Sequence, residues 1–263
     1  MASSSSSFAL PSPLLPGAPF TSVAGGIRLP EALENLIGKY GLVQYKSLPY
    51  GNCGWISVSL ALGWSPVDVA RTYVAALDST VMSLLQWEFP EEQRGNAEWK
   101  AVKKKLGTKQ KAVFAALEAG MLASPANPNA GLAPLAWMSN DKDLKLLAHV
   151  TGRPFIVVNL PEAAADVFGR IKACIVSCNF KDPSHFPQCI IKPDGSVDQW
   201  DLDIRKHGSA NIEKAILLVY NAAHFNAICP PVIEAETKGR LSSSSFEEVA
   251  RRLRGPGDGG VLL

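Results

Sequence analysis

Three observations predict an α+β domain. Apolar residues at helical spacing gather in the first half of the 263-residue chain, extended apolar runs gather in the second, and short turns join those runs as hairpins. One sheet packed by helices is the expected architecture. A Ser- and Pro-rich leader over 1–28 carries too little apolar text to offset its ordering entropy and is expected to be disordered. The domain is read as 29–233, and 234–263 as a partly disordered C-terminal appendage.

The first structured text is Glu31 to Ile37, where Leu33, Leu36 and Ile37 share a helical face and Gly38 or Gly41 can close the helix. Ser65-Pro66-Val67-Asp68 has a cap residue, a proline at the first helical position and an acid three after the cap, so it opens a helix expected to reach Leu77. Thr108 is read as the cap of a segment carrying Val113, Phe114 and Leu117 and closed by Gly120. Trp137 precedes a helix over Asn140 to Ala148 that stops at Thr151-Gly152. The period then turns extended at Pro154 to Asn159, a buried strand. Cys189 to Lys192 and Val197 to Trp200 flank the turn Pro193-Asp194-Gly195-Ser196. Ala215 to Tyr220 and Phe225 to Ile228 flank Asn221-Ala222-Ala223. A short helix is expected around Phe246 to Arg254.

Composition excludes several functions. A net charge of +2 and the lack of a basic stripe interleaved with aromatics argue against nucleic acid. No apolar run approaches the roughly 18 residues of a membrane helix. Prolines break the leader's apolar segment, so it does not read as a secretory signal. Its Ser-rich, acid-poor text leaves organelle targeting open as a less favoured reading. Five cysteines make no disulfide framework and leave an odd thiol, which favours a reducing, cytoplasmic compartment. Cys174, Cys178, His185 and Cys189 have spacing that raises zinc. Their strand-like surroundings favour buried cysteines instead, so neither metal nor cofactor is expected.

The chemistry-bearing text is Pro49-Tyr50-Gly51-Asn52-Cys53-Gly54-Trp55 and His224-Phe225-Asn226-Ala227-Ile228. A thiol after a Gly-Asn turn, with an imidazole two residues ahead of an amide, has the parts of a Cys-His-Asn site. Cysteine attacks as thiolate, and its ordinary pKa of about 8.5 leaves little of that species at neutral pH without a helix N-terminus or an imidazolium beside it. Residues after Cys53 could begin such a helix, and their amides could hold an oxyanion. Against that, Ile56, Val58, Leu60 and Leu62 alternate with Ser57, Ser59 and Ala61, which is strand period. Strand residues two apart share a face, so Asn226 can orient the His224 ring. His149, His185 and His207 lack a comparable setting.

These residues resemble the ovarian tumour (OTU) family of papain-like cysteine proteases, mostly deubiquitinases. The resemblance rests on Gly51-Asn52-Cys53 followed by Trp55, on His224-Phe225-Asn226-Ala227-Ile228, and on Trp137 with its acidic helix ahead of Gly152 to Val158. It spans about 40–229. It implies an OTU-like fold with a mostly antiparallel sheet between helical lobes, and a monomer acting on ubiquitin or a ubiquitin-like modifier through a thioester. Carried over, Cys53 is the nucleophile, His224 the general base and Asn226 the orienting group. Tyr50, Gly51 and Asn52 form the oxyanion loop, and Trp55, Phe225 and Trp137 wall a narrow channel. The chain departs from the family pattern at Tyr50, where an aspartate is usual, and at Gly54, where a large apolar residue is usual. Cys53-Gly54-Trp55 also resembles viral papain-like proteases, which keeps a viral polyprotein open as substrate. Tyr50 raises a third reading, a catalytically silent ubiquitin-binding module. Arg252-Leu253-Arg254-Gly255 resembles part of the ubiquitin tail and is read as a solvated basic helix end.

Overall fold

The structure, a computed structural model, describes residues 13–14, 31–45, 51–122, 131–139, 142–159, 188–199, 215–221, 224–230, 249 and 251–254. It is a mixed α+β fold. Among the described residues seven strands run β1 (Pro13–Leu14), β2 (Val43–Tyr45), β3 (Phe155–Asn159), β4 (Gln188–Ile191), β5 (Val197–Gln199), β6 (Ile216–Asn221) and β7 (His224–Cys229). The sheet order is β1-β2-β7-β6-β3-β4-β5. Every neighbouring pair is antiparallel except β3 and β6, which run parallel.

Among the described residues five α-helices follow one another: α1 (Glu31–Tyr40), α2 (Cys53–Leu62), α3 (Pro66–Glu88), α4 (Ala97–Glu118) and α5 (Lys142–Thr151). Alternation along the strands sends their side chains to two cores. Phe155, Val157, Ile216, Leu218 and Phe225 join Trp55, Val58, Val69, Leu106, Val113 and Leu144 on the side of α2 to α5. Ile156, Val158, Leu217, Val219 and Ile228 join Leu33, Leu36 and Ile37 of α1 on the other. Burial on both faces is why these strands read as unbroken apolar runs.

Several boundaries differ from the sequence reading. The strand period over 56–62 belongs to a helix in which every residue from Cys53 to Leu60 is buried. A helix buried on all sides has no polar stripe, so periodicity loses its meaning. The serines that mimicked alternation are satisfied internally: Ser57 Oγ donates to Phe225 O at 3.1 Å and Ser59 Oγ to Ile56 O at 2.7 Å. α3 starts as expected, with Ser65 accepting from Asp68 N at 3.0 Å, but runs past Leu77 to Glu88. α4 is capped by Asn96, not Thr108, which sits inside the helix and bonds the Lys104 carbonyl at 3.0 Å. The two-residue strand β1 lies within the leader and pairs with Gln44 and Tyr45 of β2. The rest of the leader, and the appendage except 249 and 251–254, lie outside the described residues. No helix among the described residues is long and apolar enough to cross a membrane.

The basic text near the C-terminus is tied down. Arg252 pairs with Asp78 at 2.6 Å, and Arg254 with Glu118 at 3.2 Å while lying over the Phe114 ring. These contacts hold 251–254 against the middle of α3 and the end of α4.

In β7, burial pushes the Cys229 thiol up to about 12 from 9.0. The folded chain therefore keeps a proton that the unfolded chain releases. This stabilisation is whole below the unfolded value and is lost as pH rises toward the folded one, by up to about 1.4 kcal/mol per pH unit. Urea unfolding from about pH 8 to about pH 11 is expected to show a steeper loss of stability in wild type than in Cys229→Ala. Equal slopes would show that the thiol titrates as it does when unfolded.

Candidate active site

Cys53 is the first residue of α2, and Gly51 and Asn52 turn the chain into it. Gly51 has φ of +83°, and a Cβ there would lie 2.8 Å from Trp137 Cδ1 and closer still to Nε1. Only glycine satisfies both the left-handed backbone and the indole lying on it. Asn52 precedes the helix at φ −93° and makes no side-chain cap bond; its Oδ1 is buried with no hydrogen-bond partner. An unsatisfied buried amide costs about 1–3 kcal/mol, a cost that folds tolerate at functional positions.

The first turn of α2 is fixed to β7. Ser57 donates to the Phe225 carbonyl, and the Phe225 backbone also hydrogen-bonds the Cys53 sulfur. Phe225 is the residue between His224 and Asn226, so the thiol lies against the strand that carries both. β7 spans the pair, and alternation puts both on the face of Ile228, which turns toward α1, while the Phe225 side chain between them turns toward α2. Asn226 is fully buried and His224 partly so. His224 is engaged by its surroundings, and its Nδ1 is shut away from solvent with no hydrogen bond of its own.

Burial governs the thiol. Desolvation raises the Cys53 pKa above its ordinary value, while backbone hydrogen bonds from Phe225, Gly54 and Cys53 itself pull the other way and lose. A helix does begin at Cys53, and desolvation outweighs what its N-terminal amides contribute. With the residue only 5% exposed, the amides at the helix start do not offset the loss of water.

A segment between α4 and α5 closes over this turn. It runs from a 3₁₀ turn at Pro134–Ala136 into Trp137, Met138 and Ser139. Trp137 covers Gly51, and Met138 covers Gly54, where a Cβ would fall 2.5 Å from Met138 Cβ. The absent side chain at Gly54 is thus space taken by Met138. The Trp137 indole N–H donates to Leu132 O at 2.6 Å and its ring remains 40% exposed.

Trp55 and Phe225, read from the sequence as channel walls, both lie in the core. Trp55 is fully buried, donates to Ala136 O at 2.9 Å and stacks edge-on against Tyr73 at 5.3 Å. Phe225 is buried with its ring 4.7 Å from Tyr220. Trp137 alone of the three reaches solvent beside the thiol. Tyr50 lies outside the described residues, as do Cys174, Cys178, His185 and His207. Cys189 is a buried thiol in β4, and His149 Nδ1 lies 2.9 Å from Pro193 O. Among the described residues no group of three or more His, Cys, Asp or Glu could hold a metal ion.

Sequence reasoning missed Met138, Lys109 and Asp143. Asp143, in the first turn of α5, is almost wholly buried and accepts from Tyr73 OH at 2.9 Å and Ser139 N at 2.6 Å. It also pairs with Lys109, whose ammonium donates to Trp137 O at 2.6 Å. An acid early in a helix reads as a dipole partner, and a lysine in a basic run reads as solvated. Nothing in the linear text joins them.

Compared with protein-family models, with curated proteins and with solved structures, the chain matches none.

The two glycines give a direct test of the packing. Gly51→Ala and Gly54→Ala are each expected to destabilise by about 1–3 kcal/mol in urea unfolding through overpacking. Gly107→Ala, inside α4 with nothing within 4 Å of its added Cβ, is expected to stabilise by about 0.5–1 kcal/mol. Neutral effects at Gly51 and Gly54 would mean that Trp137 and Met138 do not rest on them.

Proposed function

We propose that this chain is a cysteine protease with an OTU-like fold, hydrolysing isopeptide bonds to ubiquitin or a ubiquitin-like modifier with Cys53, His224 and Asn226. One observation carries the reading: Cys53, at a helix N-terminus, is hydrogen-bonded to the backbone of the residue that separates His224 from Asn226. Two segments far apart in the chain, each with half of a Cys-His-Asn site, meet at one peptide unit.

The chemistry follows from the thiol's state. Because burial favours the neutral form, the sulfur attacks with base assistance rather than as a standing thiolate. His224 takes the S–H proton as sulfur bonds to the scissile carbonyl carbon. Amides at the start of α2 receive the oxyanion. Collapse returns the proton to the leaving amine, and water then cleaves the thioester with His224 again as base. Asn226 holds the ring in the tautomer this requires. Trp137 over Gly51 suits a substrate tail ending in glycines, since side chains near the scissile bond would meet the indole.

A second reading, a ubiquitin-binding module without turnover, is favoured by the same raised Cys53 pKa and its burial. Turnover separates the two. Hydrolysis of a fluorogenic C-terminal amide of ubiquitin, run beside substrates built on other modifiers, is expected in wild type. Cys53→Ala should abolish it and His224→Ala lower kcat by at least about 100-fold. Asn226→Ala is expected to cost about 10-fold to 100-fold through misorientation. Binding of the modifier without hydrolysis would favour the silent module, and neither binding nor hydrolysis would remove the modifier from consideration.

A further inference from the structure

Three of the groups already described meet at Asp143 of α5 and come from separate parts of the chain: Tyr73 of α3, Lys109 of α4 and the Ser139 amide. Lys109 is distinctive in its own helix. Lys100, Lys103, Lys104, Lys105 and Lys111 of α4 are exposed, whereas the Lys109 side chain keeps only 15% of its surface. Its two bonds go to the Asp143 carboxylate and to the Trp137 carbonyl. Burying such a pair is costly, and apolar residues would hold helices together as well or better. What apolar residues would not do is grip one particular carbonyl.

That carbonyl belongs to the residue whose ring covers Gly51, two positions before the thiol. The next residue, Met138, covers Gly54, one position after it. We infer that Lys109 is a positioning residue for the Cys53 site: its ammonium, neutralised by Asp143, pins the Trp137 carbonyl and so sets the indole that walls the approach to the sulfur. Lys109 acts only through Trp137. The inference rests on Cys53 being the reactive thiol of the proposed hydrolase, and one of its readouts is independent of any substrate.

The test compares Lys109→Met, which keeps the stem and loses the charge and both bonds, with Lys109→Arg, which retains a cation and donors. Trp137→Ala removes the wall itself at a residue with a partly exposed ring, and stands in if Lys109→Met fails to fold. The first readout is the rate at which iodoacetamide modifies Cys53 in the substrate-free protein, followed by peptide mass. It is expected to rise about tenfold in Lys109→Met and Trp137→Ala, the kinetic equivalent of about 1.4 kcal/mol of lost closure, while Cys189 and Cys229 stay protected. Lys109→Arg should return the rate to within about threefold of wild type. The second readout is the KM and kcat for the fluorogenic ubiquitin amide. Lys109→Met should raise KM about tenfold and change kcat less.

An unchanged Cys53 rate in Lys109→Met and Trp137→Ala overturns the inference. So does a rise shared by Cys189 and Cys229, which reports general loosening. Altered Cys53 alkylation in a protein with no turnover in wild type would overturn the hydrolase reading and leave the positioning role standing.

Discussion

A carboxylate with almost no exposed surface has to be compensated where it stands, and Asp143 meets that requirement by drawing three other parts of the chain to one point. Tyr73 brings α3, Lys109 brings α4, and the Ser139 amide brings the segment that crosses the site. Each partner is costly to remove, because a buried charge left alone costs more than the bond it made. The position of Trp137 and Met138 follows from this, and so does the requirement for glycine at 51 and 54. The shape of the turn that holds the thiol is thus set by contacts far from it in sequence.

The second fixed relation is between α2 and β7. Ser57 and Cys53 both bond the backbone of Phe225, so the helix start cannot slide along the strand without breaking them. Helix α2 can be buried on all sides because its serines find partners in the Phe225 and Ile56 carbonyls. The site carries opposed electrostatic demands. Peptide amides at the helix start favour a negative sulfur, while loss of water disfavours it, and the second effect is larger at Cys53. A neutral thiol sheltered under a methionine and an indole resists adventitious oxidation and alkylation.

Much of this was legible in the linear text, for physical reasons that differ by element. The strands β3 and β6 and both hairpins could be read because two-sided burial leaves apolar runs bounded by turn residues. Ser65-Pro66 marked the start of α3 because capping chemistry is local. The start of α4 was misread: Thr108 resembles a cap, yet its hydroxyl bonds within the helix, and the true cap at Asn96 follows polar, weakly patterned text. α2 was ambiguous because periodicity reports a boundary between water and core, and this helix has none. Cys53, His224 and Asn226 stand out by residue type and spacing, and what the structure adds is the hydrogen bond between Cys53 and the backbone of the residue that separates the other two. The channel aromatics did not sort by sequence, since Trp55 and Trp137 differ only in what packs around them. Gly54 looked like a departure and is explained by Met138, a compensation visible only in three dimensions. Lys109 was hidden among lysines that do face water.

The most direct measurement is covalent: incubate the protein with a ubiquitin carrying a thiol-reactive electrophile in place of its C-terminal carboxylate, and map the adduct by peptide mass spectrometry. The expected result is a single modifier on Cys53, absent in His224→Ala. An adduct on Cys189 or Cys229, or none on Cys53 in folded wild-type protein, would contradict it.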